Sequence, residues 1–107
     1  MADADPRVVF VTVPDVECGR RLAQALVGER LAACANLVPG VTSVYRWQGE
    51  VRSDDEVLLV FKTRAGRLAA FEARLDELHP YDVPECVALE PAQVSAPYLA
   101  WLLDVTA

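Results

Sequence analysis

Two long apolar strands joined by a tight turn constrain the fold of this chain more than any other feature. The first reads AACANLVPGVTSVYRWQ and leads into Gln48-Gly49, a dipeptide typical of a two-residue hairpin turn. The second returns from Glu50 to Thr63, with VLLVFKT as its core. Pro39-Gly40 interrupts the first strand and predicts a bulge or bend there. We therefore expect a long, bent hairpin that overhangs a small sheet.

Strand and helix patterns alternate on either side of the hairpin. A β-branched run over Arg7–Val13 predicts a central strand covered on both faces, and amphipathic patterns predict helices over Val16–Leu31 and Arg67–Leu78. CVALE predicts a short strand, and APYLAWLLDV predicts a last helix. We expect Asp15 and Ser95 to cap the first and last helices. The order β-α-β-β-α-β plus a C-terminal helix is the α+β, ferredoxin-like pattern, with helices on one face of an antiparallel sheet.

The length and the apolar content bear on domain organisation and assembly. A chain of 107 residues fits one domain spanning 1–107, in which we expect residues 1–6 to be flexible. The hydrophobic fraction of 53% is high for a small protein, yet no apolar run approaches the roughly 20 residues of a membrane span. Long apolar strands aggregate unless a partner pairs with them. We therefore expect a closed homo-oligomer and no membrane partner.

The charge and the cysteines narrow the partners and the compartment. A net charge of −6 argues against nucleic-acid binding, which depends on clustered Lys and Arg. The start of the chain, MADADPRVV, is acidic where a signal peptide would be basic. The three cysteines, Cys18, Cys34 and Cys86, are widely spaced and form no CxxC motif. This spacing favours free thiols over a disulfide framework. These features predict a cytoplasmic protein without a nucleic-acid partner.

The segment ELHPYDVPE holds the only histidine, His79. Copper and zinc favour imidazole and thiolate, with carboxylate as a supplement, so His79, Cys34 and Glu85 offer suitable ligands. Because these residues are far apart in sequence, a site would have to recruit distant segments or several subunits. His79 has two other interpretations: it ends a helix and hydrogen-bonds the nearby backbone or a carboxylate, or it binds a small ligand at a subunit cleft. The alternative interpretation of Cys34 is that it packs in the core as a small apolar side chain.

Lys62 is the only lysine, and it lies in an apolar strand. It follows Glu56 by an even number of positions, which places both side chains on one face of the strand. A structural ion pair and an anion-binding site both remain open for this lysine. Tyr81 and Trp47 are amphipathic aromatic residues that suit either interface packing or ligand contact.

Three segments, LAACANLVPGVTSVYRWQGE, DEVLLVFKT and ELHPYDVPE, closely resemble the CutA1 family of divalent-cation-tolerance proteins in order and spacing. The resemblance extends from Val8 to the segment around Trp101. It implies a ferredoxin-like subunit, similar to the PII signalling proteins, that assembles as a homotrimer through its sheets. It also implies a role in tolerance of copper and other divalent metals, without a catalytic reaction or an obligatory cofactor. The ligand to expect at a subunit cleft is either a divalent cation such as Cu²⁺ or a small molecule.

Carried over residue by residue, the resemblance marks two sets of positions. The candidate metal ligands are His79, Cys34 and Glu85, and the candidate ligand-binding residues are Lys62, Glu56, Tyr81, Trp47 and Glu50. Thr12 stands where some family members carry a cysteine, so any metal-binding role of that thiol cannot be inherited here.

A small hydrolase on the same fold is the alternative from a different functional class. It would have to use Cys34 as the nucleophile and His79 as the base. An acylphosphatase would instead need a basic, glycine-containing phosphate cradle after the first strand, where this chain has the acidic PDVECG. We therefore expect a protein that is not an enzyme.

Overall fold

The computed structural model describes residues 2–107, and Met1 lies outside the described residues. Four strands form one antiparallel sheet in the order β2-β3-β1-β4: β1 (Pro6–Val13), β2 (Cys34–Trp47), β3 (Glu50–Arg64) and β4 (Val87–Leu89). Three α-helices follow β1, β3 and β4: α1 (Val16–Gly28), α2 (Leu68–Leu78) and α3 (Ala96–Val105). The predicted α+β, ferredoxin-like fold with a C-terminal helix is confirmed.

The hydrophobic core lies between one face of the sheet and the helices α1 and α2. Val9, Val11 and Val13 of β1 are fully buried there, in one cluster with apolar residues of both helices. The rings of Phe61 in β3 and Phe71 in α2 meet edge to face at 4.9 Å. The alternate positions of β1 are only half-buried. The prediction that β1 is covered on both faces is therefore wrong for the single chain, because both helices pack on the same side.

The β2–β3 hairpin has the length and the bend that the sequence predicts. Its pairing shifts register between Val38 and Val41, and Gly40 adopts a φ of 77° at this bulge. Gln48 and Gly49 both have positive φ, as a two-residue hairpin turn requires. β1 pairs with β3 only from Val57 onward. The outer half of the hairpin therefore projects as a two-stranded ribbon.

The helix ends differ from the sequence predictions in two details. Asp15 caps α1 as predicted, since its Oδ1 accepts a hydrogen bond from the Cys18 amide at 2.8 Å. The helix ends at Gly28 rather than at Leu31, because Arg30 takes a left-handed φ of 61° and turns the chain. Ser95 occupies the N-cap position of α3, but its side chain makes no capping hydrogen bond. The predicted side-chain cap is therefore wrong; the second helical residue is proline and has no amide hydrogen to donate.

The beginning of the described chain is tied to the segment before α2. Residues Ala2–Ala4 form a 3-10 turn, and the Asp5 carbonyl accepts a hydrogen bond of 2.7 Å from the Ala65 amide. Flexibility of residues 1–6 stays a prediction. None of the helices formed by residues 2–107 combines the length and the hydropathy of a membrane span.

Candidate functional site

A cleft of about 660 Å³ opens between the projecting hairpin and the loop that follows α2. Its walls come from three parts of the chain: Thr12 of β1; Ser43, Val44, Tyr45, Trp47, Arg52, Asp54 and Glu56 of the hairpin; and Pro80, Tyr81, Asp82, Val83 and Glu85 of the loop. A volume of this size is typical of small-molecule sites. The loop's two prolines fix backbone angles and hold this wall at a set position.

The lining of the cleft is strongly acidic. Asp54 and Glu56 project from β3, Asp82 and Glu85 come from the loop, and Arg52 is the basic residue among the lining side chains. A concave surface lined by charges of one sign concentrates counter-ions. The electrostatics of the cleft therefore favour a positively charged ligand.

Two tyrosine hydroxyls orient carboxylates in the cleft. The Tyr81 hydroxyl donates to Glu56 Oε2 at 2.7 Å, and the Tyr45 hydroxyl donates to Asp54. Burial, followed by the hydrogen bond to Glu56, raises the pKa of Tyr81, and the hydrogen bond to Asp54 raises the pKa of Tyr45. Both phenols therefore stay protonated, and each acts as a donor to a carboxylate.

Glu85 is disfavoured as an anion in its place on the loop. Loss of water around the carboxyl group, and secondarily the negative charge of Glu56, raise the pKa of Glu85. The side chain still keeps contact with solvent. A cation bound in the cleft would relieve this repulsion.

His79 has a structural role in the observed fold. It ends α2, and only 7% of its surface is exposed. Its Nε2 lies 2.8 Å from the Thr12 carbonyl oxygen, and the Tyr81 amide donates to its Nδ1 at 3.1 Å. A carbonyl only accepts, so Nε2 carries the proton and Nδ1 is the acceptor. Both ring nitrogens are thus occupied by backbone groups. This agrees with the interpretation that His79 ends a helix and hydrogen-bonds the backbone.

Cys34 lies away from the cleft. It is half-buried rather than a core residue, and its Sγ is 3.3 Å from the Tyr98 hydroxyl of α3. This hydrogen bond, followed by burial, raises the pKa of Tyr98 to about 12. All three cysteines are free, in agreement with the sequence prediction.

The three predicted metal ligands do not form one site in a single chain. Cys34 pairs with Lys62 on β3. The backbone of Thr12, which His79 contacts, pairs with Leu58 on the same strand. Lys62 and Leu58 are about 13 Å apart along β3. Within residues 2–107, no group of three or more His, Cys, Asp and Glu side chains is placed to hold a metal ion. The same separation keeps His79 from activating Cys34, so the nucleophile and base of the hydrolase alternative are not assembled.

The ligand-binding candidates divide into two groups. Glu56, Tyr81 and Trp47 line the cleft, together with Glu85 from the metal set. Lys62 lies about 20 Å from Glu56 along β3 and donates to the Asn36 side chain. Of the two alternatives for this lysine, an ion pair with Glu56 therefore does not form. Glu50 pairs with Trp47 beside the hairpin turn but is not part of the cleft wall.

Sequence reasoning missed four charged or phenolic residues of the cleft: Tyr45, Arg52, Asp54 and Asp82. A signal for three of them was present in the strand alternation. Tyr45 precedes Trp47 by two positions, and Arg52 and Asp54 precede Glu56 by even steps, so each set shares a strand face. Asp82 has no such signal, because it lies in a loop.

Fold and cleft together define a ferredoxin-like α+β protein with an acidic cleft beside its projecting hairpin. The sequence profile of the CutA1 divalent ion tolerance proteins matches residues 7–105. The chain belongs to the CutA1 family.

Individual relatives agree with this assignment. A divalent-cation tolerance protein CutA from Thermus thermophilus is 54% identical over 99 residues, which are 92% of this chain and 96% of the relative. A solved structure of the divalent cation tolerance protein from Thermus thermophilus superposes with a TM-score of 0.93 at 52% identity, covering 95% of this chain and 99% of that one. A chloroplastic CutA of Arabidopsis thaliana is 50% identical over 92% of this chain, which spans 54% of that relative.

Proposed function

We propose that this protein acts in tolerance of divalent metal ions, copper among them, as a homotrimer that binds a divalent cation or a small ligand in the acidic cleft. The observation that carries the proposal is that Asp54, Glu56, Asp82 and Glu85 all line one concave surface. The names of the family and of its relatives refer to tolerance of divalent cations and not to a reaction. The protein is therefore proposed to bind and not to catalyse.

The donor atoms in the cleft do not fit a copper-selective centre. They are carboxylate and phenol oxygens, which suit Mg²⁺, Ca²⁺ and Mn²⁺, whereas the imidazole of His79 and the thiol of Cys34 bond other groups. Cu²⁺ nevertheless exceeds Mn²⁺ in affinity for most oxygen and nitrogen sites. The proposed site accepts copper without ligands that select for it.

The shape and the surface of the chain support the proposed trimer. Its accessible surface is 6433 Å², compared with about 5900 Å² for a compact monomer of this mass. Its radius of gyration is 14.3 Å, compared with about 13 Å for a compact domain of this length. The projecting ribbon accounts for much of this excess and exposes Val44 and Val51. A two-stranded ribbon is marginal in water unless it packs against something.

Titration calorimetry with Cu²⁺ and with Mn²⁺ tests the binding proposal. We expect both ions to bind, Cu²⁺ more tightly, and the double variant Glu56→Gln, Glu85→Gln to weaken both by several-fold, because two carboxylates of the cleft lose their charge. Glu72→Gln is the matched control, since Glu72 is exposed on α2 outside the cleft. Unchanged affinity in the double variant would show that the metal ions do not bind in the cleft.

A further inference from the structure

The walls of the cleft combine acidic groups with aromatic faces. Tyr45, Trp47 and Tyr81 all line it, and each leaves 37 to 38% of its surface exposed. An aromatic face attracts an organic cation held over it and also packs against methylene groups. A hydrated metal ion uses neither property. The aromatic lining therefore points to an organic ligand.

The acidic groups are distributed around the cleft instead of converging on one point. In residues 2–107, no three His, Cys, Asp or Glu side chains are placed together to hold a metal ion. Two of the carboxylates lie on β3 and two lie on the facing loop, around a volume of about 660 Å³. Such a distribution matches a ligand with several separated positive charges.

Glu56 is a nearly buried carboxylate of the cleft wall. Only 9% of its surface is exposed, although it is a carboxylate. Its Oε2 accepts from Tyr81, and within the described part of the chain no hydrogen bond reaches its Oε1. No fully buried side-chain oxygen lacks a partner in residues 2–107, so Oε1 keeps some contact with solvent, and Glu56 lines the cleft. A carboxylate so poorly hydrated gains most from a charged N–H donor.

We propose that the cleft binds a linear aliphatic polyamine, a ligand with two or more ammonium groups separated by methylene chains. One ammonium group donates to Glu56 Oε1, a second is attracted by Asp82 and Glu85 across the cleft, and the methylene chain packs on Trp47. This inference rests on the proposed function of the same cleft and specifies the class of cation.

Calorimetry with spermidine tests the inference, with 1-aminobutane as a ligand of one charge. We expect spermidine to bind at least about tenfold more tightly than 1-aminobutane, and Glu56→Gln to remove about tenfold of that affinity. The side-chain amide that this substitution introduces would still accept the Tyr81 hydrogen bond through its carbonyl oxygen, so the loop should keep its place. Asp82→Asn, in the exposed part of the loop, gives a second charge-neutralising variant with little risk to folding, and it too should weaken spermidine.

The substitution Trp47→Leu distinguishes binding of an organic ligand from binding of a metal ion. The variant keeps apolar bulk but loses the aromatic face, so it should weaken spermidine several-fold and leave Mn²⁺ affinity unchanged. Spermidine binding no tighter than 1-aminobutane, or unaffected by Glu56→Gln, overturns the inference. If Cu²⁺ and Mn²⁺ still bind in a Glu56- and Glu85-dependent way, that outcome leaves the proposed function in place. Spermidine binding without metal binding would support the polyamine inference and contradict the proposal that the cleft binds a metal ion.

Discussion

His79 illustrates how single side chains are determined by their contacts. A backbone acceptor faces one ring nitrogen and a backbone donor faces the other, so the neutral imidazole has one defined tautomer. The ring of Tyr81 lies 4.7 Å from the imidazole, and its hydroxyl reaches Glu56. Three side chains thus connect the end of α2 to the cleft. The histidine positions the loop, and the loop carries the polar groups.

Glu85 permits a prediction about pH. Because the pKa of Glu85 is raised in the folded state, its charged form opposes folding at pH 7. Glu85→Gln should therefore raise the thermal midpoint slightly at pH 7, by about one degree, since the side chain is exposed enough for solvent to screen the effect. As the pH falls through the carboxyl range, the folded wild type takes up this proton before the unfolded chain does. The advantage of the variant should therefore shrink.

Thermal unfolding at pH 7 and at about pH 4, at one protein concentration, measures this difference. Glu72→Gln removes the same charge from the exposed face of α2 and serves as the control. A midpoint lowered by Glu85→Gln at pH 7 would contradict the prediction.

At the scale of elements, the hairpin bend depends on a backbone conformation. Gly40 has a φ of 77° at the register shift, and a Cβ atom added there would meet no neighbouring atom within 4 Å. The cost of a side chain at this position would thus come from the backbone alone. The bend changes the direction of the strands that carry Trp47 and Glu56 to the cleft.

Gly40→Ala should destabilise the protein by about 1 kcal/mol, because an L-residue is strained in the left-handed region. Gly28→Ala is the matched comparison: a Cβ there is equally unhindered, but Gly28 has no positive φ and ends a helix. That variant should stabilise the protein by roughly 0.5–1 kcal/mol. Denaturant unfolding at one protein concentration measures both changes. Equal effects of the two substitutions would show that the left-handed conformation is not what matters at Gly40.

At the scale of the whole molecule, the single chain exposes more apolar surface than a compact monomer of this length would. Val87 and Leu89 on the short edge strand and Tyr98 and Trp101 on α3 are exposed, in addition to the apolar residues of the ribbon. The face of β1 opposite the core is only half-buried. These surfaces occur on both edges of the sheet and on one of its faces, as a closed ring of subunits would require.

Sedimentation at micromolar concentration should give three times 11.7 kDa, about 35 kDa, for the proposed trimer. Val51→Lys, on the exposed ribbon, should shift the equilibrium toward smaller species, because a charge would enter the interface. Val16→Lys, at the exposed start of α1, is the control and should leave the mass unchanged. A stable species of 11.7 kDa in the wild type would contradict the proposal.

Local sequence patterns were sufficient to predict most elements of this molecule. β-branched and apolar runs, a turn dipeptide and an N-cap at Asp15 depend on neighbouring residues, so the strands, the hairpin turn and the start of α1 were predictable. The end of α1 and the cap of α3 were not. They depend on one left-handed residue, Arg30, and on a proline that removes a donor from the first turn.

The composition of the cleft is a property of the tertiary structure. Its walls come from β1, from the hairpin and from the loop after α2, which only folding brings together. The bond that occupies His79 Nε2 joins residues 67 positions apart, and the Tyr81–Glu56 bond joins residues 25 positions apart. Residue types alone indicated metal ligands at His79, Cys34 and Glu85. The order of the strands separates Cys34 from the other two, because register determines which side chains share one end of a sheet.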